Sequence, residues 1–128
     1  MLKRTIKGLL IDVKNQTLQA CLVNDTLDDY YKVLNCGCID CVTRIINNKK
    51  YVIVCDDNAL LKENQIPSFV TLIGNYIVEV IYGNIFICKS DDDGNLISLN
   101  EKEIIEILKC KGYINGKYIA VRTDLRRI

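Results

Sequence analysis

Three groups of side chains in this sequence have the types and spacing to do chemistry: a thiol cluster, a run of acids and amides, and a few arginines. The run Cys36-Gly37-Cys38-Ile39-Asp40-Cys41 has a C-x-C-x-x-C spacing that can hold a soft metal. Structural zinc normally takes four ligands, commonly as two spaced pairs, so a fourth would have to come from Cys21 or Cys55. Cys38 and Cys41 also have redox spacing, without the strand-to-helix context such pairs occupy. Inert thiols are the economical reading, and no metal is assigned. The second group is Asp56-Asp57-Asn58, at the end of the β-prone run 51–55. A buried strand that delivers these residues to its rim fixes polar groups beside a pocket. Asp and Asn also end strands simply because their side chains bond to the turning backbone. The third group is arginine. Arg44 lies between Thr43 and Ile45 in an otherwise apolar stretch and needs a partner. A carboxylate such as Asp40 or Asp56 would serve, and so would a ligand phosphate, because the guanidinium fork suits both. Arg122, Arg126 and Arg127 gather at the tail, either as a solubilising end or as an arm that closes an anion site on a neighbouring subunit.

The complementary chemistry is missing. The chain has no histidine, which removes the usual neutral-pH base, every His-dependent triad and the His-containing zinc sites. It contains no G-x-S-x-G elbow, no phosphate-cradling G-x-x-x-x-G-K-[ST] run and no dinucleotide fingerprint. Asp56 and Asp57 are adjacent, so on an extended strand their side chains diverge. Asp91-Asp92-Asp93-Gly94-Asn95 has its glycine fourth and Lys102 at position twelve, unlike a calcium loop, and reads as a turn. No catalytic residue and no cofactor are assigned, and the expectation is a protein that is not an enzyme. Tyr51, Tyr76, Tyr82, Tyr113 and Tyr118 offer faces on which a base could stack, though core packing accounts for each one as well.

The elements that must position these groups belong to a single domain, 1–128. Hydrophobic residues make up 49% of the chain, enough for a core, so disorder is not expected. Seventeen Lys and Arg against sixteen Asp and Glu leave a formal charge of +1, too little to draw DNA, RNA or an anionic membrane. The apolar runs are too short to span a bilayer, and the N-terminus lacks the apolar region and cleavage site of a secretion signal. Seven cysteines, an odd number, fit free thiols in a reducing cytoplasm.

Segments 5–13 and 17–23 read as a hairpin turned at Lys14-Asn15-Gln16. Thr26 and Asp29 match a capping box ahead of the stripe Leu27, Tyr30, Tyr31, Leu34. Segment 39–46 and the run 51–55 form the central hairpin, turned at Asn47-Asn48. Residues 56–68, with the sole proline, read as a crossing loop. Residues 69–82 are ambiguous in period and broken at Gly74-Asn75, with 76–82 a strand. Gly83-Asn84 turns into strand 85–89. Asn100 and Glu103 match a second capping box, with Ile104, Ile105, Ile107 and Leu108 expected to face inward and Gly112 to end the helix. Asn115-Gly116 marks a hairpin between Tyr113-Ile114 and 118–121. The expected fold is α+β: mostly antiparallel β-sheet with two short capped helices. The Ile- and Tyr-rich segments exceed what one core of this size covers, so a homo-oligomer is expected.

The order of these motifs is also similar to known sequences. IKGLLIDV, LDDYYKVLNC, RIINNKKYVIVCDDNALLKENQIPSF and GNIFICKSDDDGNLISLNEKEIIEI, spread over residues 6–108, resemble a small phage- and prophage-encoded family of unknown function. In size, architecture and Lys/Asn/Ile-rich style the chain also resembles the anti-Thoeris sponge proteins of phages and clostridial prophages. That resemblance implies a cytoplasmic protein of the bacterial host that sequesters a cyclic ADP-ribose isomer, or a cyclic oligonucleotide signal, without cleaving it. No binding residue is carried over from the sponges; the candidates are this chain's own. Arg44 would meet pyrophosphate oxygens beside the rim Asp56, Asp57 and Asn58. Asn58 or Asn64 would read ribose or base, Phe69 or a tyrosine would stack on adenine, and Arg122, Arg126 and Arg127 would close over the site. The alternatives are a phage inhibitor that binds a host protein, and an adaptor stabilised by metal at Cys36, Cys38 and Cys41.

Overall fold

The computed structural model describes residues 4–59, 62 and 65–125. Two runs of the chain are apolar without interruption, and both become strands buried on two faces. The first is β4 (Lys49–Asp56), which forms a hairpin with β3 (Ile39–Ile46). Asn47 and Asn48 both take positive φ, 50° and 68°, the conformation that a tight two-residue hairpin turn demands and asparagine tolerates. The second run is β7 (Ile85–Ser90), which pairs antiparallel with β4 on one side and with β1 (Thr5–Asp12) on the other. A hairpin partner, β2 (Thr17–Asn24), forms the far edge, and the two-residue β8 (Leu96–Ile97) pairs with the end of β7. The large sheet thus runs β2-β1-β7-β4-β3 with β8 attached, and all its pairings are antiparallel.

Alternation along β4 and β7 sends side chains to two separate cores. Val52, Val54, Phe86 and Cys88 meet Tyr30 and Leu34 of α1 (Leu27–Leu34), together with Ile6 and Val23. Tyr51, Ile53, Cys55, Ile85 and Ile87 point the other way, toward a second sheet and α2 (Glu101–Leu108). A strand covered on both faces needs no polar positions, which is why these segments lack the clean period of two. Gly8 makes the close packing possible: a Cβ there would lie 2.4 Å from the Ile87 carbonyl oxygen and 2.6 Å from the Phe86 ring.

The second sheet runs β6-β5-β10-β9, from β5 (Pro67–Ile73), β6 (Tyr76–Tyr82), β9 (Lys111–Ile114) and β10 (Tyr118–Asp124). β5–β6 and β9–β10 are hairpins, but β10 pairs with β5 in parallel, Val121 beside Phe69 and Asp124 beside Leu72. Polar contacts join the two sheets. Thr123 Oγ1 donates to the Ile45 carbonyl at 2.9 Å, and the Gln16 side-chain oxygen accepts the Ile119 amide at 2.7 Å.

At the first turn of α1, Thr26 Oγ1 accepts the Asp29 amide at 3.3 Å. At α2, Asn100 and Glu103 exchange hydrogen bonds, each 2.8 Å. Glu103 does more than that pattern suggests. It is 3% exposed, with Lys89 Nζ 2.9 Å from Oε1 and Lys49 Nζ 2.5 Å from Oε2, a charge contact made without hydrogen-bond geometry. Burial alone would raise its pKa; the Asn100 amide and the two lysines outweigh that and hold it near 2.

Several sequence expectations change here. Residues 69–73, ambiguous in period, belong to β5, which begins two residues earlier at Pro67, inside the stretch 56–68 read as a crossing loop; the missing amide is tolerated at the first residue of a strand. Ile104 and Ile107 are buried, whereas Ile105 and Leu108 are exposed, because an eight-residue helix has room for only one inward stripe. Gly112 does not end α2; it belongs to β9, where a Cβ would meet Arg122 Cδ at 2.7 Å. Residues 122–124, read as part of a tail, lie in an interior strand of the second sheet. Among the described residues, no helix is long and apolar enough to cross a membrane.

Candidate functional site

Arg44, the first candidate, projects from the edge strand β3 toward the second sheet and finds a partner there. Its Nε donates to Glu79 Oε1 at 2.6 Å and its Nη2 to Oε2 at 2.5 Å, while Nη1 donates to the Thr43 carbonyl at 2.7 Å. Thr71 Oγ1 adds a hydrogen bond to Glu79 at 3.3 Å. The fork raises the pKa of Arg44, and the same hydrogen bonds hold Glu79 below the usual carboxylate range. The partner is therefore Glu79 rather than Asp40 or Asp56, and a phosphate could take this fork only by displacing a bidentate carboxylate.

The acids at the end of β4 are likewise engaged. Asp56 Oδ2 lies 2.5 Å from Lys62 Nζ, and Asp56 Oδ1 accepts the Asn58 amide at 2.9 Å. Cys38 Sγ lies 3.7 Å from Asp57 Oδ2, and the Asp57 amide donates to the Cys38 carbonyl at 3.0 Å. For Asp56 this is the backbone-turning use that the sequence offered as an alternative. The neighbouring thiols are held in their neutral form: burial pushes Cys36 up, and desolvation together with the Asp57 carboxylate pushes Cys38 up. That is the opposite of what a thiolate nucleophile or metal ligand requires. Among the described residues, no three cysteines or carboxylates converge on a metal position.

Phe69 is fully buried between the sheets, so its ring reaches no ligand from solvent. The structure therefore does not bring Arg44, Asp56, Asp57, Asn58 and Phe69 together around one cavity. Asn64, Arg126 and Arg127 lie outside the described residues.

Arg122 is placed differently. It is exposed on the outer face of β10, its aliphatic stem lying over Gly112. Its guanidinium has no ion pair or side-chain hydrogen bond among the described residues. It lines a cleft of about 600 Å³ bounded by the Asn47-Asn48 turn, the Gly74-Asn75 turn and the end of α2. Lys109 and Lys111 bring further positive charge, balanced in part by Glu106 and Asp124. Glu106 is itself held by Lys109 at 3.3 Å and by the Asn47 amide, and Asp124 accepts the Gly74 amide at 3.3 Å. On its other side Arg122 borders a groove of about 260 Å³ that also contains Asn75 and the half-exposed Tyr113. A guanidinium without a partner among the described residues, on the wall of a recess whose lining includes amide side chains, can take an anion.

Of this cleft, sequence reasoning found only Arg122. Asn47, Asn48 and Asn75 were legible as turn residues, not as a lining. What assembles them is the parallel β10–β5 pairing, which carries Arg122 between two turns that are 27 residues apart in sequence. An asparagine in each of two turns was the available signal.

No curated protein and no solved structure matches this chain. Its sequence does match the domain of unknown function DUF3846 over residues 6–111, from the start of β1 to the start of β9. The family carries no stated function and no link to the sponge proteins, and the match covers most of the chain. This protein belongs to the DUF3846 family.

Proposed function

We propose that this protein is a non-enzymatic binding protein that captures a small nucleotide messenger in the Arg122 cleft and holds it intact. The observation that carries the proposal is Arg122, a residue with no ion pair among the described residues that lines two recesses of about 600 and 260 Å³. A pyrophosphate would take the fork of Arg122, with Lys111 adding charge. The side chains of Asn48 and Asn75 would read ribose or base edges, and Tyr113 would stack on the base. The resemblance to the anti-Thoeris sponges narrows the ligand to a cyclic ADP-ribose isomer or a related cyclic oligonucleotide, bound in the cytoplasm of a bacterial host as a phage anti-defence measure.

Arg44 in this reading is a structural residue, because its fork is filled by Glu79. The test is sequestration. The protein is incubated with extract from cells whose TIR-domain defence has been triggered, then filtered and heat-denatured. The filtrate should lose the messenger, and the heated protein should release it unchanged by mass. A filtrate that keeps its messenger contradicts binding; loss from both fractions contradicts the non-enzymatic reading.

A further inference from the structure

The charged side chains that line the Arg122 cleft are Lys109, Lys111 and Arg122 against Glu106 and Asp124, and they are not equally available to a ligand. Glu106, on the last turn of α2, uses both of its carboxylate oxygens. Oε1 meets Lys109 Nζ at 3.3 Å, and Oε2 accepts the Asn47 side-chain amide. The first contact offsets the charge of Lys109. The second ties the Asn47-Asn48 turn, one wall of the cleft, to the helix that ends in another. In the ion pair the carboxylate is the more enclosed partner, 30% exposed against 68% for Lys109. Water therefore screens the ammonium more than the carboxylate. What remains to attract an anion is Arg122 and Lys111, opposed by Asp124, which accepts the Gly74 amide.

We infer that Glu106 sets the charge of the anion the cleft accepts, favouring phosphates esterified on both sides over terminal phosphates. This rests on the reading of the cleft as a nucleotide site. A phosphate esterified on both sides carries one negative charge, whereas a terminal phosphate carries about 1.5–2 at neutral pH. The Arg122 fork cannot separate the two, because each offers a pair of oxygens to it. Specificity is a difference between two affinities, and a repulsion that grows with ligand charge supplies that difference. An acid on the wall of an anion site weakens every anion, and it weakens the more highly charged one most. Glu106 does this directly through its own charge and indirectly by occupying Lys109.

Glu106→Gln removes the charge and keeps the shape, and its amide oxygen can still accept from Asn47. Calorimetric titration at neutral pH compares two probes, a cyclic ADP-ribose isomer and metal-free ADP. Both contain a pyrophosphate, but only ADP ends in a terminal phosphate. The wild type should favour the isomer. Glu106→Gln should raise affinity for ADP about tenfold and for the isomer only about threefold, because the gain scales with ligand charge. A role confined to holding the Asn47-Asn48 turn would change both affinities by the same factor. Glu106→Gln combined with Lys109→Gln should bring both affinities back close to the wild type, since the two charges leave together. A wild type that binds the isomer, with the ratio between the probes unchanged in Glu106→Gln, overturns this inference and leaves the nucleotide reading standing. So does a wild type that binds ADP as tightly as the isomer. A wild type that binds neither probe overturns both.

Discussion

Arg44 and Arg122 are both arginines in β-strands among apolar neighbours, and the fold treats them oppositely. Arg44 faces the gap between the sheets, where Glu79 fills its fork and the Thr43 carbonyl takes a third donor. Arg122 faces outward across Gly112 and has no such partner among the described residues. An arginine in an apolar strand announces a need for an acceptor; whether the chain itself supplies it is decided by tertiary pairing. An unmet need on a cleft wall is the more informative of the two, because burying a polar group without a partner costs energy and leaving it exposed in a recess keeps it available.

The comparison can be broken at several places, and the largest effect should come from a residue that belongs to neither arginine's surroundings. Phe69→Ala removes a ring packed between the sheets and should lower stability by about 3–5 kcal/mol in chemical denaturation. Any loss of binding in that variant should track the unfolded fraction and disappear under conditions where it is folded. A binding defect in fully folded Phe69→Ala protein would put its ring in the site after all.

Glu103 comes next. Its pKa is lowered from 4.5 to about 2 in the folded protein, so the unfolded chain takes up the proton first as pH falls. The stability it contributes is fully present above about pH 4.5 and is lost as pH drops toward 2. Glu103→Gln should cost roughly 1–3 kcal/mol at neutral pH and flatten the acid limb of the stability curve. An unchanged acid limb would contradict the arrangement with Lys49 and Lys89. Arg44→Ala should cost less, about 1–2 kcal/mol, since both partners are about one-third exposed and solvent partly replaces the pair. Adding Glu79→Gln should restore part of it. Equal losses in the single and double variants would show that the ion pair itself contributes nothing.

How much of this was legible in the sequence follows from whether a feature is local. The hairpins at Lys14-Asn15-Gln16, Asn47-Asn48 and Asn115-Gly116 were all readable, because turn chemistry is written in the turn residues themselves. The start of α2 was readable for the same reason. β5 was not, because Val70, Leu72 and Ala120 are buried on the face opposite the core that holds Phe69 and Val121, which erases the alternation a strand is recognised by. The partner of Arg44 was missed because Glu79 is 35 residues away, on a strand of the other sheet. The Arg122 cleft was missed as a unit because it exists only once β10 lies parallel to β5, and no local pattern encodes that pairing. Asp56 was legible as a strand-ending residue, and its side chain is used that way, whereas the Asp57 carboxylate meets the Cys38 thiol.

The most direct test of the account is a parallel titration of Arg122→Ala and Arg44→Ala with purified cyclic ADP-ribose isomer by calorimetry, alongside denaturation of both variants. Arg122→Ala should leave stability within about 0.5 kcal/mol of the parent. It should also weaken binding by about 1.5–3 kcal/mol, roughly tenfold to more than a hundredfold. Arg44→Ala should do the reverse, lowering stability while its folded fraction binds as the parent does. Arg122→Ala that binds like the parent, with affinity lost in folded Arg44→Ala instead, would return the site to the β3–β4 rim and contradict the assignment made here.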